Sequence, residues 1–168
     1  MTRRALVGSA FAITLTACGA PGPGSREPAP REEVTAEQMR DRWKPLAEEE
    51  LAVVIAVDEL ALTPPAERSS RLAKARDGAG FIASGLGVFV PPKDLLACRD
   101  KALEGATELK VALDGIDALW SGRVTGDRKE AAVKLADDLC KAAAKLSAGR
   151  SECGVELTAA RAPLACGP

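Results

Sequence analysis

Few side chains in this sequence can carry chemistry, and their types narrow what it can do. Histidine is absent from all 168 residues, so neither a Ser-His nor a Cys-His nucleophilic pair can be assembled. The same absence removes a c-type haem site, and the closely spaced Cys or His ligands that structural zinc favours are missing too. No cofactor and no metal are expected. Carboxylates remain, at Asp58-Glu59, at Asp114 with Asp117, and at Asp137-Asp138. Two carboxylates flanking a cleft near Trp120 would suit hydrolysis of a glycosidic bond. Helical spacing instead sets Asp114 and Asp117 beside a buried seam, where carboxylates ordinarily face solvent. A non-enzymatic protein is therefore expected, with a carboxylate-based hydrolase the weaker reading.

The cysteines say more. Cys18 follows a positive start at Arg3 and Arg4 and an apolar run from Ala5 to Thr16 that is too short to span a bilayer. Leu15-Thr16-Ala17-Cys18 resembles the lipobox of bacterial lipoproteins, over about the first twenty residues of the chain. The resemblance implies cleavage of a signal peptide spanning residues 1–17, acylation of Cys18, and attachment to a membrane of the cell envelope through an N-terminal lipid anchor. Gly19 stands where aspartate would resemble an inner-membrane retention signal, so an outer-membrane address is implied for a Gram-negative source. Residues 18–34, with Pro21, Pro23, Pro28 and Pro30 among glycines and charges, bury too little apolar surface to offset their ordering entropy and read as a flexible tether.

Cys98, Cys140, Cys153 and Cys166 then form an even set, which in an exported chain reads as two disulfides. Without residues 1–17, 23 basic against 24 acidic side chains become 21 against 24. That mildly acidic balance, with no long basic block, argues against nucleic-acid binding. A mature chain of about 150 residues makes one ordinary domain, here expected over residues 35–168.

These residues are positioned by helices. Thr35-Ala36-Glu37-Gln38 has capping-box spacing and starts a short helix, and Pro45 starts the main first helix, running to about Leu62. The β-branched run from Leu51 to Val57 would also suit a buried strand, but no partner strand is evident. Thr63-Pro64-Pro65 ends that helix and opens a second, with a seam at Leu72, Ala75, Ala79, Ile82 and Leu86 and an outer ion pair between Glu67 and Arg71. Gly78, Gly80, Gly85 and Gly87 suit close helix contact or fraying before Pro91-Pro92 better than a phosphate loop, since no strand precedes them. The uncharged stretch Gly78 to Val90 could dip into a membrane surface, although burial continues its seam.

A third helix runs from after Pro92 to about Trp120, with Leu95, Cys98, Ala102, Ala106, Leu109, Leu113, Ile116 and Trp120 on one face. Asp127 caps a fourth, whose seam is Ala132, Leu135, Leu139, Ala142 and Leu146. Glu130 to Lys134 and Asp137 to Lys141 are outer pairs, and a small-residue stripe follows Ala132, Ala136, Cys140, Ala143 and Ser147. Gly149 ends this helix, and the tail adds one helical turn around Val155 to Ala160. The expected fold is all-α, an antiparallel four-helix bundle with a disulfide-stapled C-terminal tail.

That geometry sets the disulfides. If the third and fourth helices fold back about Val124, Cys98 is level with about position 150, while Cys140 lies roughly 15 Å away from that level. A bond from Cys98 to Cys140 is thereby nearly excluded, because bonded Cα atoms lie within about 7 Å. Cys98 with Cys153 and Cys140 with Cys166 is the expected pairing; Cys98 with Cys166 and Cys140 with Cys153 would need a tighter reversal at Gly149.

For function, the sequence supports a tethered interaction or structural module of the envelope, with a protein partner it does not identify. The alternative is a carrier holding an apolar ligand, such as a lipid chain, in a glycine-rich core near Phe81 and Phe89.

Overall fold

A computed structural model describes residues 32–60 and 62–157 of the chain. Its elements are a short strand β1 (Glu32–Glu33), helices α1 (Ala36–Leu60) and α2 (Pro65–Gly87), strand β2 (Phe89–Val90), a 3-10 turn at Lys93–Leu95, and helices α3 (Leu96–Trp120) and α4 (Arg128–Glu152). The described protein is all-α apart from the one strand pair: a helical bundle in which α1 packs along α2, α2 along α3 and α3 along α4.

α1 is opened by the expected capping box. The Thr35 N–H donates to Gln38 Oε1 at 2.9 Å and the Gln38 N–H donates to Thr35 Oγ1 at 3.2 Å. The helix then passes through Pro45 without a break, contrary to the expected restart there. A proline in a helix interior costs about 3 kcal/mol. Met39 and Trp43, before the proline, share the buried face with Leu46, Ala47 and Val53 after it. Burying the Trp43 indole, about 200 Å² at about 25 cal/mol per Å², contributes roughly 5 kcal/mol, less about 1–3 kcal/mol for its buried and unpartnered Nε1–H. The other apolar side chains of that face add to the remainder to hold the first turns in line. Pro45 itself is exposed, so the carbonyl that loses its donor lies on the watered side. The Leu51 to Val57 run is helical, as expected.

Pro64 and Pro65 occupy the N-cap and first position of α2, where no N–H is needed. All five residues of its expected seam are buried, Ala79, Ile82 and Leu86 completely. The expected Glu67–Arg71 pair gives way to one between Arg71 and Glu59 of α1, which ties the two helices together across their turn.

α3 continues through Gly105 and Gly115, and Cys98, Ala102, Ala106, Leu109 and Leu113 are buried as its pattern predicts. Trp120 is a correction. It is 41% exposed, and Leu119 takes the inner position. The indole lies at the rim with the Arg68 guanidinium carbon 6.0 Å from its ring centre, an arrangement that suits a ring with an apolar body and a polar tip.

Asp127 caps α4 by accepting from the N–H groups of Lys129 and Glu130 at 2.8 and 3.2 Å. Of its expected seam, Leu139, Ala142 and Leu146 are buried and Leu135 is half-buried, but Ala132 is exposed. Gly149 does not end the helix, which runs on to Glu152. A Cβ at Gly149 would come 2.5 Å from the Ala102 nitrogen and 2.7 Å from the Cys98 carbonyl oxygen, so its purpose is close backbone approach. Termination falls to Gly154, at φ +70°, where the Val155 N–H reaches back to the Arg150 carbonyl at 3.2 Å. The helical turn expected around Val155 is not seen over Val155 to Leu157, and its remainder lies outside the described residues.

The strand pair was not foreseen. β1 and β2 are parallel, with Glu32 opposite Phe89 and Glu33 opposite Val90, and the Val34 N–H donates to the Val90 carbonyl at 3.1 Å. Val34 is buried. The folded structure thus takes hold of the chain from Glu32, within the last residues assigned to the tether.

Candidate functional site

The cysteines organise one end of the bundle. Cys98, on the first turn of α3, and Cys153, just past α4, form a disulfide with Cα atoms 5.5 Å apart, and both residues are buried. This is the first expected pairing. Cys140 is also disulfide-bonded. Its expected partner, Cys166, lies outside the described residues, as does Cys18, the expected site of acylation.

Above the disulfide, α3 and α4 touch backbone to backbone. A Cβ at Gly105 would meet the Leu146 nitrogen at 2.4 Å, matching the clash of Gly149 with Ala102. Lys145 reaches Glu108 at 2.7 Å and Glu104 at 3.1 Å, and Lys101 pairs with Glu152, so salt bridges flank the glycine contacts.

The same end holds two buried arginines that sequence reasoning missed. Arg150 of α4 donates from Nε to Glu50 Oε2 of α1 at 2.9 Å, from Nη1 to the Val155 carbonyl at 2.8 Å and from Nη2 to Ser147 Oγ at 3.1 Å. Both members of the pair are buried. Burial pushes the Glu50 carboxyl above its ordinary value, and the adjacent Arg150 charge pulls it only part of the way back. Arg99 donates from Nη1 to the Leu86 carbonyl at 3.4 Å, near the end of α2. Its Nε lies 3.1 Å from Asp100 Oδ1, close enough for an ion pair yet not aligned for a hydrogen bond. The available signal was a charge on a seam: Glu50 falls on the line of Trp43, Leu46 and Val53, and Arg150 on that of Leu139, Ala142 and Leu146.

The carboxylates do not converge. Asp114 lies between Lys110 at 3.0 Å and Arg76 at 3.5 Å, Asp117 pairs with Arg123, and Asp137 pairs with Lys141 at 2.6 Å. Glu59 is taken by Arg71. Each of these is tied to a base on an outer surface, an arrangement that screens charge and sets up no acid and base across a bond. Among the described residues, no group of three or more His, Cys, Asp or Glu side chains is placed to hold a metal ion.

Phe81 and Phe89, the expected lining of a core cavity, part company. Phe89 is fully buried, whereas Phe81 is 55% exposed. Phe81 instead borders an open groove of about 570 Å³ between α1 and α2, lined by Ala52, Val53, Ala56, Ala75 and Gly78 together with the charged Glu49, Lys74 and Asp77. Gly78 makes the room there, since a Cβ would come 2.4 Å from Glu49 Oε1 and 2.6 Å from Val53 Cγ2. Of the other α2 glycines, Gly85 sits against Leu46, and Gly87 has open space around it. No described helix is long and apolar enough to cross a membrane.

Comparison with family models, with curated proteins and with solved structures finds no match to this chain.

Proposed function

We propose that this protein is a lipid-anchored module of the cell envelope that binds or braces a protein partner and catalyses no reaction. The observation that carries this reading is Leu15-Thr16-Ala17-Cys18 behind a short basic and apolar leader. Two features of the folded part support it. Carboxylates suited by type to acid-base work are held in outer ion pairs, and the groove between α1 and α2 is open to the surface, where a partner can reach its α1 wall at Ala52 and Ala56. A carrier of an apolar ligand would use a closed core cavity instead.

The helices of the proposed bundle alternate in direction. Along α3, Cys98, Ala102, Gly105 and Gly115 meet Cys153, Gly149, Leu146 and Leu135 of the α4 side, in descending order. Along α1 and α2, Leu46 meets Gly85 and Val53 meets Gly78. The second disulfide of this arrangement is Cys140 with Cys166, since Cys98 and Cys153 are bonded to each other.

Intact mass of the protein extracted from membranes tests the anchor. The expected mature chain begins at a diacylated or triacylated Cys18, and Cys18→Ala abolishes both the lipid and membrane partitioning. An unmodified mature terminus overturns the reading.

A further inference from the structure

Gly78 to Val90, within the longest uncharged run of the described residues, is divided by the fold into two faces. Ile82, Leu86 and Phe89 are buried in the core, while Phe81 and Val88 project from α2 and its C-cap at 55% and 60% exposure. They are seven residues apart, two helical turns, and therefore lie on one stripe with Ser84 between them, which is exposed and neutral. Of the other exposed apolar side chains, Val111 adjoins Lys110 and Val133 adjoins Lys134, while Leu62 lies in the turn between α1 and α2 and on no helix face.

The strand pair adds a second, independent observation. Parallel pairing sets Glu32 opposite Phe89, so the chain coming from the N-terminal segment joins the fold one residue from exposed Val88. Of the two carboxylates on β1, Glu32 is bridged by Arg42 at 2.7 and 2.8 Å, and Glu33, opposite Val90, is exposed.

We infer that the Phe81–Val88 face of α2 rests on the lipid surface to which the chain is anchored. The inference builds on the anchor reading at Cys18. Thirteen residues lie between Cys18 and Glu32, an average span of roughly 20 Å if they form the expected tether. A surface held within that span is presented to the face at an effective concentration on the order of millimolar, so two apolar side chains on the uncharged part of α2 beyond Asp77 are enough to populate contact. Phe81 and Val88 enter the boundary between headgroups and acyl chains, and the charged outer sides of α3 and α4 stay in water.

The test places a single added tryptophan on the full mature chain by Phe81→Trp, by Val88→Trp, or by Val133→Trp on α4 as control. Each protein is bound to phosphatidylethanolamine and phosphatidylglycerol vesicles with brominated acyl chains, and the emission of Trp43 and Trp120 is subtracted using the unsubstituted chain. All three positions are exposed, so the fold tolerates the ring. Brominated lipid is expected to remove about half or more of the added emission at 81 and 88 and less than about a tenth at 133.

Two arms separate this inference from the anchor on which it builds. One uses protein purified from membranes, with acylation of Cys18 read by mass; the other uses Cys18→Ala carrying an N-terminal histidine tag on nickel-chelating lipid. An unacylated Cys18 removes the anchor reading and leaves the face to be decided by the second arm. Quenching at 81 and 88 no greater than at 133 in the second arm overturns the lipid contact. So does a tryptophan at 81 that stays in water on vesicles while a crosslinker at 81 captures a protein in intact envelopes.

Discussion

The α3–α4 pair and the α1–α2 pair are both built around glycines, yet the glycines face different things. In α3–α4, Gly105 and Gly149 each lie against the other helix's backbone, which cannot move aside without dragging the helix with it. In α1–α2, Gly78 and Gly85 lie against side chains, where Glu49 and Leu46 can turn aside more readily than a backbone although the buried, β-branched Val53 is stiff. The first pair is closed further by a disulfide, and the second stays open along the groove beside Phe81. A glycine in a helix costs about 1 kcal/mol relative to alanine wherever it sits, so its return depends on which of these neighbours it meets.

The largest effect should come from removing the staple. Cys98→Ala with Cys153→Ala opens a loop whose ends are 55 residues apart, and chain-entropy arithmetic puts the loss at about 4 kcal/mol. Denaturant titration should show that loss as a lower midpoint, and a change below about 1 kcal/mol would mean that helix packing alone holds this end.

Next come the glycines themselves. Gly149→Ala or Gly105→Ala forces α3 and α4 apart and should cost about 2–3 kcal/mol, the range of overpacking in a tight core. Gly78→Ala and Gly85→Ala should cost less, within about 1 kcal/mol, as displaced side chains offset the gain in helix propensity. Equal losses in the two pairs would remove the distinction drawn here.

Why one glycine ends a helix and another lets two helices touch was not readable along the chain. Gly149 looked like a terminator because it follows the last apolar seam residue, but its partner atoms come from Ala102 and Cys98, some fifty residues away. Pro45 was misread for a related reason: local chemistry favours a helix start, and only burial of Trp43 on the same face as Leu46 overrides it. The seams of α2 and α3, the capping box at Thr35 and the cap at Asp127 were legible, because each is decided within a few residues by helical period or by a side chain reaching its own backbone. The two-residue strands are too short to show alternation. Of the proposed site, the anchor motif is legible, while the face of α2 is legible only as the uncharged stretch Gly78 to Val90: a helical pattern marks the residues that are buried and does not show that Phe81 borders an open groove.

The Glu50–Arg150 pair joins the two helix pairs, and its titration probes that join. The folded state holds the Glu50 carboxyl above its ordinary value of 4.5, chiefly through burial. A raised folded value means that this group's contribution to stability is complete below about 4.5 and declines as pH rises through the folded value. Glu50→Gln should keep an acceptor for Arg150 and abolish that part of the decline, so the stability curves of the two proteins should differ in slope on the alkaline side of 4.5. Parallel curves over that window would show that Glu50 titrates as it does in the unfolded chain.

The smallest effect is expected on the outer side of α3, away from both contrasted interfaces. Asp114 is 44% exposed and Asp117 35% exposed, and their partners Lys110, Arg76 and Arg123 are all partly in water. Exposed pairs of this kind contribute between about 0 and 1 kcal/mol, so the double change Asp114→Asn with Asp117→Asn should shift stability by about 0.5 kcal/mol. Because these carboxylates are held apart by their own bases, the same double variant should also retain, in intact envelopes, the partner contact proposed for the protein. A folded double variant that loses that contact would return the two aspartates to an active role and make the outer face of α3, not the α1 wall of the groove, the proposed partner surface.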